Sequence, residues 1–132
     1  MALVSQVEKK IRMSQWDIVK FQVLTYCYIH TIKVSDHDLS CLALLGLTGE
    51  QTIDTLCKLV VSNQIFSSLQ SARNVLSKAE KTGLVTRSTS NKRKIRINPA
   101  LNIQTAGNII LDYRVIYLEP VVKPLALESQ ES

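Results

Sequence analysis

Apolar residues recur along this chain at three- to four-residue spacing through its middle and at two-residue spacing further on, and each change of spacing marks a predicted element. The opening residues 1–13 place Leu3, Val4, Val7 and Ile11 without a decisive period, so they are read as a strand or a fraying helix. From Ser14, a helix-capping residue, the run SQWDIVKFQVLTYCYIHTIK sets Trp16, Val19, Val23, Tyr26 or Cys27 and His30 at helical spacing. Asp17 falls in the first turn, where the helix dipole favours a carboxylate. Phe21, Leu24 and Tyr28 lie off that stripe, which predicts two apolar faces, one of them available to another subunit. A second helix is predicted over 36–47, opened by Val34-Ser35 and closed by Thr48-Gly49, with Leu39, Leu42, Ala43 and Gly46 on one side. A third follows over 52–61 through Ile53, Leu56, Leu59 and Val60, and the loop of residues 62–67 ends it.

The stretch FSSLQSARNVLSKAEKTGLVTRSTSNKRKIRIN, residues 66–98, organises the rest. After a cap at Ser67 or Ser68, Leu69, Ala72, Val75, Leu76 and Ala79 form the buried stripe of a helix. The opposite face carries Gln70, Ser71, Asn74, Ser77, Lys78 and Lys81, with Arg73 on the flank and no carboxylate among them. Thr82-Gly83 ends the helix, because Gly83 can take the left-handed conformation that releases the last carbonyls. Residues 84–88 and 94–98 alternate as two short strands about a turn-rich link, with Ile95 and Ile97 facing inward and Lys94, Arg96 and Asn98 outward. Pro99 stops the second strand, and residues 100–107 form a loop.

The run NIILDYRVIYLE, beginning at Asn108 and ending at Glu119, is rich in β-branched and aromatic residues. It is read as a strand with Leu111, Tyr113, Val115 and Tyr117 on one face, a helix being the alternative. Apolar on both sides, it needs cover, from the N-terminal segment or from the same strand of another subunit. The tail beyond Pro120 and Pro124 is acidic and polar, and is expected to lack order unless a partner binds it.

Charge narrows the functional reading. Residues 69–98 hold eight basic side chains against one acid, Glu80, a local excess of +7 where the whole chain carries +5. Such clustering points to an acidic partner such as nucleic acid; the bland alternative is a solvated helix face beside a charged hairpin.

The segments SARNVLSKAEKTGLVTR, residues 71–87, and IRINP, residues 95–99, resemble the recognition helix and wing of the winged helix-turn-helix DNA-binding superfamily. The resemblance implies an α+β fold of three to four helices plus a β-hairpin wing and an additional C-terminal strand, with one winged-helix domain over 1–119 and a tail over 120–132. The third and fourth helices would form the helix-turn-helix, with a connecting loop longer than in the plainest versions. It implies double-stranded DNA as ligand and a transcription regulator or replication-initiation factor of a phage, plasmid or bacterium. Homodimers are common in that superfamily, and here the pairing surface would be the strand from Asn108 to Glu119 or the first helix. Gln70, Ser71, Arg73, Asn74 and Ser77 would read bases. Ser68, Lys78, Lys81, Arg87, Lys92, Arg93, Lys94 and Arg96 would hold the DNA backbone. The competing reading keeps the fold but not the DNA: a protein-interaction or structural module, for example a virion or assembly component of a phage.

Other chemistry finds little footing. Cys27, Cys41 and Cys57 are odd in number and widely spaced, which fits neither a disulfide framework nor a zinc site and suits small buried residues in a reducing compartment. His30 and His37 lack a third ligand, and Asp36 and Asp38 look like capping residues. With four glycines and no nucleophile or phosphate-loop motif, no enzyme, metal or cofactor is expected. No apolar run reaches the roughly 18 residues that span a bilayer, and MALVSQVEKK lacks the apolar core, about 7–15 residues long, of a signal peptide. The expected location is the cytoplasm, at a nucleoid or in a phage-infected host.

Overall fold

The computed structural model describes residues 2–118, which form an α+β structure of four helices and two small antiparallel sheets. In chain order these are β1 (Ala2–Ile11), α1 (Gln15–Ile29), α2 (Asp36–Thr48), β2 (Gln51–Thr52), α3 (Ile53–Ser62), α4 (Leu69–Lys81), β3 (Val85–Arg87), β4 (Lys94–Ile97) and β5 (Ile109–Leu118). They divide into two units, the body Arg12–Asn108 and a ribbon of β1 with β5. The span 1–119 read as one domain thus contains both.

Each helix of the body starts at a hydroxyl cap, because the first backbone N–H groups of a helix have no partner within it. Ser14 accepts from the Asp17 N–H at 3.1 Å, Thr52 from Thr55 at 3.2 Å, and Ser68, not Ser67, from Ser71 at 3.1 Å. Ser35 and Asp38 cap α2 reciprocally, at 3.1 and 3.0 Å. The first helix is shorter than the apolar run suggests: it stops at Ile29, and Thr31 takes a left-handed φ of 58°.

The core forms where the four apolar faces meet, around Val19, Val23 and Cys27 of α1, Leu39, Cys41, Leu42, Ala43 and Leu45 of α2, Leu56, Cys57 and Val60 of α3, and Ala72, Leu76 and Ala79 of α4. Burying one such aliphatic side chain stabilises the fold by about 1.5–3 kcal/mol. Gly46 permits close approach of α1 and α2, since a Cβ there would lie 3.1 Å from Val19 Cγ1. The loop over residues 62–67 is held as well, by the Ile65 N–H on the Val60 carbonyl at 3.0 Å and by Ile65 and Phe66 against the core.

β3 and β4 form the expected hairpin, with Val85 opposite Ile97 and Arg87 opposite Ile95. The strand β2 was not legible in the chain: two residues pair with β4, Gln51 opposite Ile95, and complete a sheet ordered β2-β4-β3. Past the hairpin, Pro99–Leu101 form a 3-10 turn where a plain loop was expected. The loop that follows is tied to α1 by a reciprocal amide pair, Gln22 Nε2 to the Gln104 carbonyl at 2.7 Å and the Gln104 N–H to Gln22 Oε1 at 2.8 Å.

In the ribbon, β1 and β5 are both strands and pair antiparallel with each other, from Ala2 opposite Leu118 to Ile11 opposite Ile109. The N-terminal segment is therefore the partner of the C-terminal strand within one chain. No residue of β5 is buried. The tail from Pro120 lies outside the described residues.

Candidate functional site

The helix α4 buries Ala72, Leu76 and Ala79 and turns the remainder of its surface outward, because its polar residues occupy the arc opposite that stripe. Gln70, Arg73, Asn74, Ser77, Lys78 and Lys81 are exposed. Ser71 departs from the expected arc: it is half-buried inside the cap, where its hydroxyl accepts from Ser68 Oγ at 2.9 Å. Leu69, assigned by spacing to the buried stripe, is instead exposed. No acid stands in the first turn and two cations, Lys78 and Lys81, stand in the last.

Several groups on that surface engage one another. Gln70 Nε2 donates to Asn74 Oδ1 at 2.9 Å, one turn apart, which aligns the two amides and leaves Gln70 Oε1 and both Asn74 N–H groups outward. Arg73 is held by Asp54 of α3 at 2.8 Å. Lys78 stands 3.9 Å from Asp38, a loose pair, and Lys81 is unencumbered among the described residues.

Gly83 links α4 to the hairpin with φ +82°, a left-handed turn that a side chain would strain. The Leu84 N–H then bonds back to the Ala79 carbonyl at 2.9 Å, and Asn98 Nδ2 to the Gly83 carbonyl at 2.7 Å. Asn98, expected to point outward, is thus spent on holding the two ends of the hairpin together. Arg87 grips Glu80 with two bonds, Nε to Oε2 at 2.9 Å and Nη2 to Oε1 at 3.1 Å, and reaches the Lys92 carbonyl at 3.3 Å. That donor pair holds the Glu80 carboxyl below the usual carboxylate range and raises the Arg87 guanidinium. The one acid of the basic segment is thereby neutralised at the root of the hairpin.

Lys92 and Arg93 stand fully out at the hairpin tip, and the Arg93 N–H is fixed by Asn91 Oδ1 at 3.0 Å. Lys94 and Arg96 do lie on the outer face of β4 but are only half-exposed. Arg96 Nε and Thr86 Oγ1, cross-strand neighbours, are enclosed without a hydrogen-bond partner. An open cleft of about 170 Å³ between α4 and the hairpin is lined by Arg73, Ser77, Glu80 and Arg87, with Ile53, Leu76 and Ile95 at its floor.

Sequence reasoning missed Asp54 and the bracing role of Asn98. Both could be suspected only from their types, an acid and an amide near a basic surface, and their partners lie 19 and 15 residues away.

The histidines take no part in this surface, and of the cysteines only Cys57 approaches it, beside Arg73. His30 stacks on Tyr26 with centroids 4.0 Å apart, and His37 lies tilted 5.8 Å from Phe66. Burial raises the thiols of Cys27 and Cys57 and pushes that of Cys41 up to about 12, which keeps them protonated and unreactive. Asp36, read as a capping residue, instead accepts from Lys20 Nζ at 2.8 Å, and the cap is made by Ser35 with Asp38. Among the described residues no group of three or more His, Cys, Asp or Glu side chains is placed to hold a metal ion, and no helix is long and apolar enough to cross a membrane. No family model, curated protein or solved structure matches this chain.

Proposed function

We propose that this chain is a winged helix-turn-helix protein that binds double-stranded DNA, inserting α4 in the major groove and laying the β3–β4 hairpin on the backbone as its wing. The observation that carries the reading is the shared surface of α4 and the hairpin: an exposed amide and hydroxyl face, cations at its C-terminal end and at the hairpin tip, and a single acid already consumed by Arg87. The order α2, β2, α3, α4, β3, β4, with β4 central in its sheet, is compatible with a winged helix to which α1 and the ribbon would be additions.

Gln70 and Asn74 suit adenine edges, which accept and donate in one plane, and their mutual hydrogen bond leaves Gln70 Oε1 to accept and the Asn74 amide N–H groups to donate. Arg73 reaches guanine only by leaving Asp54, so it discriminates at the cost of an ion pair. Ser77 lies on the same face. Ser71 is engaged in the cap through both its N–H and its hydroxyl, which sets it apart from the base-reading group. Lys78, Lys81, Lys92, Arg93 and Lys94 neutralise phosphates, while Arg87 and Arg96 shape the wing. The α4 N-terminus capped by Ser68 is acid-free and favourable to a phosphate.

The biological role that fits is transcription regulation or replication initiation in the cytoplasm of a bacterium or phage-infected host, with a homodimer reading two half-sites through either the ribbon or α1. A mobility-shift titration against genomic fragments at several salt concentrations tests it; absence of any salt-dependent shift ends it. One observation favours the second reading, a module for protein contact: β5 exposes Ile110, Tyr113, Val115, Ile116, Tyr117 and Leu118, more apolar surface than DNA binding requires.

A further inference from the structure

We propose that a second copy of this chain pairs along the open edge of β5, antiparallel and centred on Tyr113, so that two ribbons form one four-stranded sheet in the order β1-β5-β5-β1. The inference rests on the homodimer named above for its copy number, and is independent of DNA.

A two-stranded ribbon is marginal in water by itself, whereas three or more strands with an apolar face are stable. One edge of β5 is taken by β1, and among the described residues the other bonds to no strand. Long apolar edges are ordinarily charged, covered or paired. Here Tyr113, Val115 and Tyr117, on one face, are 53%, 55% and 56% exposed. Leu111 shares that face, and Asp112 and Arg114 occupy the other between Ile110 and Ile116.

The charges select the register. A two-fold axis normal to the sheet keeps both apolar faces on one side only if it passes through a residue, because paired residues in an antiparallel sheet share a face. Through Asp112 it sets two carboxylates opposite each other, and through Arg114 two guanidinium groups. Through Leu111 or Val115 it leaves both charges without an opposite. Through Tyr113 it sets Asp112 opposite the partner's Arg114 at two symmetric places, Leu111 opposite the partner's Val115, and Ile110 opposite the partner's Ile116. Within one chain Asp112 faces Glu8 across the ribbon, an unfavourable like-charge pair, with Gln6 Nε2 as a weak donor at 3.4 Å. The partner's Arg114 supplies a counter-charge directly opposite.

Sedimentation of the full chain tests this. The unmutated protein should be a dimer. Asp112→Arg and Arg114→Asp each create like-charge pairs at both places and should sediment as monomers, with the circular dichroism of the helical body retained. Mixed in equal amounts, the two variants oppose Arg to Asp at every pair and should recover the dimer mass. Tyr113→Cys, which meets itself at the axis, should cross-link to doubled mass on mild oxidation, while Val115→Cys, opposite Leu111, should not; the native Cys27, Cys41 and Cys57 are buried and do not compete. An unmutated monomer overturns the proposal. So do single variants that remain dimeric, and if Leu24→Glu or Tyr28→Glu then dissociates them, the interface is α1. Mixed variants that stay monomeric overturn the register. Failure of the DNA reading shows itself separately, as no mobility shift in dimer and monomer alike, with the sedimentation results unchanged.

Discussion

β3 and β4 pair strands of three and four residues, whereas β1 and β5 pair strands of ten. The shorter pair is the better supported. Val85 and Ile95 are buried in the core, Ile97 packs beside them, and β2 adds a third strand. In β5 no residue is buried despite more than twice the length of ladder. The difference teaches that strand length adds backbone hydrogen bonds, each contributing only about 0.5–1.5 kcal/mol net, while the placement of an apolar side chain contributes about 1.5–3 kcal/mol. A hairpin rooted in a core can hold like charges at its tip. A ribbon without burial lacks that support, and the edge-to-edge pairing of two copies through β5 would add strands and cross-strand neighbours to it.

The largest expected effect breaks this contrast at its root. Ile95→Ala should destabilise the body by about 2–5 kcal/mol, because it empties a site that is 1% exposed, whereas Val115→Ala should change body stability by less than about 0.5 kcal/mol. Chemical denaturation followed by the circular dichroism of the helices compares the two directly; equal losses would place the ribbon in the same cooperative unit as the core.

Next comes the hairpin tip, where burial has nothing to lose. Replacing Lys92, Arg93 and Lys94 together by Ala should leave the melting temperature within a few degrees and weaken binding to all duplex DNA alike. Each phosphate left without its cation should flatten the salt dependence by about 0.9 in log–log slope. A binding isotherm unaltered by the triple change would remove the hairpin from the DNA interface.

A smaller effect is expected on α4. Asn74→Ala removes one amide from an exposed pair, so thermal stability should hardly move, while affinity for the selected site should fall by about 1–3 kcal/mol and affinity for random DNA should not. Equal loss on both DNAs would make Asn74 a generic polar neighbour of the duplex.

The smallest effect concerns the Arg87–Glu80 grip, which is exposed by about two-fifths on both sides and therefore contributes under about 1 kcal/mol. Because the Glu80 carboxyl is held below the usual carboxylate range, its contribution is fully present at neutral pH and is lost as pH falls through that lowered value. Arg87→Ala should thus lower stability slightly at pH 7 and make no difference in strong acid. A difference that persists in acid would assign the loss to packing of the Arg87 stem.

The caps at Ser14 and Ser35, a cap at Ser67 or Ser68, the turn at Gly83, the stripe through Ala72, Leu76 and Ala79 and the alternation around Ile95 could all be read from the chain, because each is an interaction among residues within a few positions of one another. The crowding of cations over residues 69–98 was equally plain. Which of those cations stay available was decided only in three dimensions. Arg73 meets Asp54, 19 residues away, because α3 and α4 cross where their apolar faces pack, and nothing in the local period of either helix encodes that crossing. The same holds for Arg87 on Glu80, for the half-burial of Lys94 and Arg96, and for the two-residue strand β2, too short to have a period. It holds most for β1 and β5: the opening residues showed no decisive period, and the alternation of β5 called for a partner but did not say which, since the pairing joins residues more than 90 positions apart and no local period carries information over that separation.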